Sequence, residues 1–166
     1  MMRFLALLGF GAVAGWLAMD AATSPSSPSS TPTDAQSTWD LVTVPQLLRP
    51  LQALVPDLRL TSGLRSTEHN AAVGGSETSA HVRGLALDVK SASTDAGRLL
   101  LMAIDAGLPI DQGIAYATGR GGHLHLATVA PGGTLRRMYG IAPDGSTGYR
   151  WGLDQVRQLA DTPNLS

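Results

Sequence analysis

Ser79-Ala-His-Val-Arg-Gly-Leu-Ala-Leu-Asp88 is the stretch around which the rest of the chain is organised. It carries two side chains that commonly bind metals, His81 and Asp88, on either side of a turn at Gly84. After the turn, leucine and valine alternate with Ala86 and Asp88, which predicts a strand with one buried face. We therefore expect Asp88 to project from the face opposite the leucines.

A second alternating run lies at residues 122–127, where His123 and His125 share one face and two leucines occupy the other. Residues two apart on a strand lie about 7 Å from each other, so both imidazoles reach the same region of a sheet face. Two strands can therefore direct His81, Asp88 and one or both of these histidines at a single point.

Short motifs accompany this stretch in a fixed order. They read Ser62-Gly-Leu-Arg65-Ser66, then Asn70, Val73-Gly-Gly-Ser76, the Ser79–Asp88 stretch and, late in the chain, His125. In order and spacing they resemble the M15 family of zinc D,D-peptidases, the D-alanyl-D-alanine carboxypeptidase type. That family's pattern is S-G-aromatic-R-S, N, V-G-G-S, S-x-H-x-x-G-x-A-x-D and a late His, and the looser similarity covers Trp39 to Arg137.

The resemblance implies a fold and a metal. Helices early in the chain followed by a small sheet favour an α+β domain. The family implies a small, mostly antiparallel sheet with helices packed on one side and one Zn²⁺ on its open face. Its ligand positions fall on His81, Asp88 and His125, which leaves a fourth position for water, as in catalytic zinc sites. The expected chemistry is amide hydrolysis by metal-activated water.

The general base is left open by the sequence. His123 faces the same way as His125, and a branch of the family carries this H-x-H, so we interpret His123 as a catalytic residue that transfers a proton or stabilises an oxyanion. The alternative is a supporting residue or a substitute ligand. The common family pattern has an acidic residue three positions before the last ligand, and here that position is Gly122. The base is then either His123 or an acid from elsewhere, with Asp111 the first candidate.

Three further residues are candidates for contact with substrate. Arg65 is the cation that the motif places near the metal, where a guanidinium binds a substrate carboxylate or stabilises an oxyanion, unless it forms an ordinary surface salt bridge. Ser79 either contacts substrate or caps a turn. Tyr116 precedes the glycine-rich turn to His123, and we expect it to line the cleft.

Composition excludes several classes of protein. The 166 residues favour one domain, and 12 Lys+Arg against 13 Asp+Glu give no electrostatic basis for binding nucleic acid. The chain has no cysteine, which excludes a thiolate nucleophile, a Cys-ligated zinc and disulfides. We expect a monomer.

The beginning of the chain predicts export. Residues 4–19 carry no charge, and their number lies between the ~7–15 of a signal-peptide core and the ~17–25 of a spanning helix. We assign residues 1–21 to a signal peptide or membrane anchor, which would hold the protein at the membrane if it is not cleaved. Residues 22–38 form a Ser/Thr/Pro-rich linker, and residues 39–166 the peptidase domain. The expected location is the periplasm or cell envelope.

Local patterns predict the remaining elements. They are a helix from Pro45 to Val55, a strand over Leu58–Ser62, a helix from Ser66 to Val73, a helix from Ser93 or Thr94 to Gly107, an antiparallel strand pair Gly113–Ala117 and His123–Thr128, a strand within Leu135–Ile141, and a terminal helix Trp151–Ala160.

The leading functional hypothesis is an exported zinc peptidase that acts on the stem peptides of peptidoglycan. It would be a carboxypeptidase that removes a terminal D-Ala or an endopeptidase, which in a phage would be an endolysin. The second hypothesis is a non-catalytic wall-binding or virion structural domain on the same scaffold. A glycosidase ranks last, because the motif region offers no suitably placed pair of carboxylates.

Overall fold

The computed structural model describes residues 34–117, 122–143 and 148–162. Within these ranges the chain folds into a six-stranded, mostly antiparallel open sheet with helices, which confirms the predicted α+β class. The helical elements are α1 (Asp34–Thr38), a π-helical segment (Trp39–Leu48), α2 (Arg49–Leu54), α3 (Thr67–Ala72), α4 (Ala96–Asp105) and α5 (Leu153–Asp161). The strands are β1 (Arg59–Ser62), β2 (Ala86–Lys90), β3 (Gln112–Tyr116), β4 (His123–Ala127), β5 (Met138–Ala142) and β6 (Arg150–Trp151).

The order of the strands places the two predicted site strands side by side. The sheet runs β1-β2-β4-β3-β5-β6, and every neighbouring pair is antiparallel except β3 with β5. In the register of β2 with β4, Asp88 lies opposite His125. In the register of β3 with β4, Tyr116 lies opposite His123. The functional candidates of three strands therefore share one face of the sheet.

The other face of the sheet carries the hydrophobic core. Leu87 and Val89 of β2 and Leu124 and Leu126 of β4 are fully buried there, as their alternation predicts. Residues of the π-helical segment, α2, α4 and α5 complete the same cluster, among them Leu47, Leu51, Leu99, Leu100 and Val156. Burial of such side chains stabilises the domain by about 1.5–3 kcal/mol each. These four helical elements thus cover one side of the sheet, and Asp88 faces the other side.

The helical residues begin earlier than the predicted domain start at Trp39. Residues Asp34–Thr38, which we assigned to the linker, form α1, and Pro45 lies inside the helical segment rather than at its first position. The reason is a long-range contact that the local pattern does not reveal. The backbone of Ala35 lies against Gly84, where a side-chain Cβ would meet the Ala35 oxygen at 2.0 Å.

Smaller differences concern the ends of elements. The N-cap of α4 is Asp95, whose side chain accepts from the backbone N–H of Arg98 at 2.9 Å, rather than Ser93 or Thr94. Ser93 instead donates to the carboxylate of Asp57. The terminal helix begins at Leu153, because the residues just before it pair with β5 as an additional short strand.

Several predictions fall outside the described residues. The export segment, most of the linker, and the turn at residues 118–121 belong to these parts of the chain. Among the helices that the structure describes, none has both the length and the apolar character needed to cross a membrane.

Candidate metal centre

Three side chains converge on one point of the open sheet face. His81 Nε2 lies 3.2 Å from Asp88 Oδ1 and 3.2 Å from His125 Nδ1, and the distance from His125 Nδ1 to Asp88 Oδ1 is 2.8 Å. Within the described ranges, these are the residues that form a group able to hold a metal ion. They are the three residues that the sequence predicts as metal ligands.

His81 is held in one orientation by the backbone. Its side chain is buried, and its Nδ1 lies 2.7 Å from the carbonyl oxygen of Gly63. A carbonyl oxygen only accepts, so Nδ1 carries the proton and donates it. In the neutral imidazole, Nε2 then presents its lone pair to the centre, the arrangement that protein groups around metal sites commonly enforce.

Asp88 is bound on both carboxylate oxygens. Oδ1 faces the two histidines, and Oδ2 accepts from a terminal nitrogen of Arg65 at 2.6 Å. Arg65 is fixed in turn by its Nε, which donates to the hydroxyl of Ser62 at 2.8 Å. Burial of Asp88 opposes its ionisation, but the close contacts with His125 and His81 outweigh burial and hold the pKa of this carboxyl well below its usual range. Asp88 is therefore an anion, as a ligand must be.

The donor set fits a small divalent cation. Two imidazole nitrogens and one carboxylate oxygen are ligands that zinc accepts. Tetrahedral coordination with bonds of about 2.0–2.1 Å separates donor atoms by about 3.3 Å, close to the 2.8–3.2 Å observed here. The residues present therefore match a three-ligand metal site.

The metal centre lies in a wide cavity of about 910 Å³. Three arginines, Arg65, Arg83 and Arg136, line it together with two tyrosines, Tyr116 and Tyr149. The cavity is open to solvent on the side of the sheet that the helices leave free. The three candidate ligands therefore line a cavity that solvent can enter.

His123 stands beside the ligand group and is not part of it. Its ring stacks on Tyr116 with centroids 4.2 Å apart and planes 11° apart. The Tyr116 hydroxyl lies 3.2 Å from that of Tyr149, which holds the stack from its other end. Burial lowers the pKa of His123, so its imidazole is the neutral form near neutral pH.

The polar groups of two other candidates, Ser79 and Asp111, already form hydrogen bonds within the protein. The hydroxyl of Ser79 accepts from the backbone N–H of His81 at 3.3 Å, which is the turn-capping alternative. Asp111 is buried, and both of its carboxylate oxygens accept from Arg136. Hydrogen bonds from Arg136 are the main cause of the lowered pKa of Asp111. Its carboxylate is thus engaged in an ion pair at the wall of the cavity.

Some residues of the site were not found from the sequence. The carbonyl of Gly63 acts through its backbone, and Tyr149 reaches Tyr116 from a distant part of the chain. Arg83 did have a signal, because it lies inside the metal motif, two positions after His81. The motif does not specify that position, so the sequence assigns it no role.

Comparison with known families agrees with this geometry. A family model described as Peptidase M15 matches residues 26–127, which is more than half of the chain and includes all three ligands. A comparison with curated proteins found no match.

Proposed function

Since the chain belongs to the peptidase M15 family, we propose that it is an exported zinc peptidase that cleaves peptide bonds involving D-amino acids in the stem peptides of peptidoglycan. Membership of the family supports a metallopeptidase. The choice of substrate and the export are our extension of that result. The observation that carries the proposal is the convergence of His81, Asp88 and His125 within 3.2 Å of one another in an open cavity.

Zinc is the metal that we assign to the three ligands. It would supply Lewis acidity that polarises the scissile carbonyl and activates a water at neutral pH. The chain's own contribution is to keep the ligands in position. Gly63 sets the tautomer of His81, and Arg65 fixes the orientation of the Asp88 carboxylate.

Arg65 has a second task in this proposal. Its Nε and one terminal nitrogen are used for Ser62 and Asp88, and the other terminal nitrogen has no hydrogen-bond partner among the described residues, which leaves it for substrate. A guanidinium held rigidly at the metal centre is well suited to stabilise the oxyanion that develops on the scissile carbonyl. This supports the oxyanion role for Arg65 over the surface salt bridge.

His123 is our choice for proton transfer. It is two residues from His125 on the same strand face, about 7 Å along the sheet, and its stack on Tyr116 holds the ring in place. The competing candidate, Asp111, is paired with Arg136. We therefore assign to His123 the movement of a proton between water and the leaving amine.

The location of the substrate agrees with the predicted export. An uncharged stretch at residues 4–19 followed by a Ser/Thr/Pro-rich tether would place the domain outside the cytoplasmic membrane, next to the cell wall. The tether would let a membrane-anchored form reach its substrate.

The test is digestion of purified peptidoglycan by the full-length, zinc-supplied protein, with mass spectrometry of the products. The proposal expects either free D-Ala or shortened stem peptides. If the folded protein binds the wall and leaves every stem peptide intact, the non-catalytic wall-binding hypothesis replaces it.

A further inference from the structure

The metal cavity has two chemically different ends. Along β4, the side chains of His123, His125 and Ala127 share one face at intervals of about 7 Å. His123 marks an aromatic end, where it stacks on Tyr116. Ala127 lies at the other end, near Asp111, whose backbone N–H donates to the Ala127 carbonyl. The metal ligand His125 lies between the two ends.

The charged end is built around arginines. Arg136 donates there to the Asp111 carboxylate, and Arg83 lines the same cavity. The positive charge of Arg83 adds to the effect of Arg136 in lowering the pKa of Asp111, so Arg83 acts electrostatically on this end of the cavity. The lining of the cavity also includes Glu77, and a carboxylate placed at this end would lie near the guanidiniums of Arg83 and Arg136.

Two of the three guanidiniums in the cavity already have carboxylate partners. Arg65 pairs with Asp88, and Arg136 pairs with Asp111. Arg83 is exposed, and within the described parts of the chain it forms no ion pair. Of the three, Arg83 is the cation that remains for a carboxylate from outside.

We propose that Arg83 binds the terminal carboxylate of the substrate and so makes the protein a carboxypeptidase. The inference rests on the proposed peptidase function and deepens it. Arg83 follows His81 by two residues, so their Cα atoms lie within about 7 Å of each other. The terminal carboxylate of a peptide cut before its last residue is about one residue length, ~3.8 Å, from the scissile carbonyl. A flexible arginine anchored beside a metal ligand spans that distance.

This assignment gives Arg83 and Arg65 separate roles in substrate binding and catalysis. Arg83 holds the carboxylate of the departing amino acid in a bidentate pair, and Arg65, which is bound to Asp88 through one terminal nitrogen, offers its other terminal nitrogen to the oxyanion. The body of the stem peptide extends toward the aromatic end at Tyr116 and His123. A substrate without a free carboxylate next to the scissile bond gains no binding affinity from Arg83.

The experiment compares two synthetic stem peptides that end in D-Ala-D-Ala, one with a free carboxylate and one with a terminal amide. The proteins are the full-length zinc-loaded wild type, R83Q, R83K and R98Q. Arg98 is an exposed arginine on α4 outside the cavity lining and serves as the matched control. Release of D-Ala or its amide gives kcat and KM, and calorimetric titration gives Kd for both peptides.

We expect the wild type and R98Q to prefer the free carboxylate. In R83Q the KM and Kd for the carboxylate peptide rise about tenfold or more, while values for the amide peptide stay within about twofold, so the preference disappears. R83K recovers part of it, because lysine keeps the charge but not the bidentate geometry. Zinc content stays the same in all four proteins.

Equal behaviour of R83Q and R98Q toward both peptides would overturn the assignment, and so would a wild type that treats acid and amide alike. Cleavage within stem peptides without any preference for a free carboxylate leaves the peptidase proposal intact and removes the role of Arg83. If the wild type cleaves no peptide, the proposed function fails. The titrations then test the role of Arg83. If the wild type binds the carboxylate peptide more tightly than the amide peptide and R83Q loses this difference, the role of Arg83 is supported. If the wild type shows no such difference, or R83Q keeps it, the role is contradicted.

Discussion

The carbonyl oxygen of Gly63 lies 2.7 Å from Nδ1 of His81 and thereby determines which imidazole nitrogen faces the metal centre. Gly63 is itself held by the N-terminal helical residues, because the ring of Trp39 packs directly over its Cα. A Cβ at Gly63 would meet that ring at 2.6 Å. The helical segment that follows the predicted linker therefore supports a metal ligand through one backbone carbonyl.

Replacement of Trp39 by alanine should weaken zinc binding about tenfold, since loss of a group that orients a ligand commonly costs 10–100-fold in affinity. Trp39→Phe should keep most of the affinity, because an aromatic ring still covers Gly63. Competition with a chelator measures the zinc Kd, and the absorption spectrum of the cobalt-substituted protein reports ligand geometry. Leu41→Ala, at an exposed side chain of the same helical segment, is the control. A folded Trp39→Ala protein with the zinc Kd of the control would contradict this role.

Gly84 should tolerate no side chain, because two penalties add there. Its φ of +67° costs an L-residue about 1–2 kcal/mol, and the new Cβ would collide with the backbone oxygen of Ala35. We expect Gly84→Ala to lower the free energy of unfolding by about 2–5 kcal/mol. Gly74 is the matched control, because its φ is +76° and nothing lies within 4 Å of the added Cβ. Gly74→Ala should therefore cost only the energy of the left-handed backbone conformation. Denaturant titration distinguishes the two, and equal losses would show that α1 does not pack there.

The sequence predicts what depends on local pattern. Alternation in β2 and β4 correctly places Asp88 and His125 on one face, because strand geometry alone assigns side chains to faces. The helical start at Asp34 does not follow from the local pattern, because the residue packed against Ala35, Gly84, is distant in the chain. The same holds for the partners of Arg65 and Asp111, which depend on side-chain geometry that no spacing encodes. Predicted roles for His123, Arg65, Ser79 and Tyr116 remain predictions.

Asp111 should stabilise the fold in a manner that depends on pH. Its folded-state pKa lies below the ordinary value of 3.8 because Arg136 donates to it. Such a group stabilises the protein above pH ~4 and loses that contribution as the pH falls through its folded pKa. Asp111→Asn should therefore cost about 1–2 kcal/mol at pH 7 and progressively less below pH 4. Unfolding measured from pH 7 to 3 checks this, with exposed Asp105→Asn as the control; a pH-independent loss would refute the ion pair as its cause.

Hydrolysis should depend on His123 and not on Asp111. His123→Ala should lower kcat about 10²–10⁴-fold, the usual contribution of a proton-transfer group, while zinc content is retained. Asp111→Asn should stay within a few-fold of the wild type, because its carboxylate is bound to Arg136. Steady-state kinetics on a D-Ala-D-Ala peptide compares the two variants. A greater loss of kcat in Asp111→Asn than in His123→Ala would indicate that Asp111 is the general base.

The most direct test of the metal centre is the zinc content and peptidase activity of the full-length protein beside His125→Ala. The wild type should hold one zinc per chain and release D-Ala or cut stem peptides from purified peptidoglycan, because His81, Asp88 and His125 converge on one point. The variant should lose both zinc and activity. A folded wild type that binds no zinc when it is supplied, or a His125→Ala protein that keeps full zinc and activity, would contradict the account.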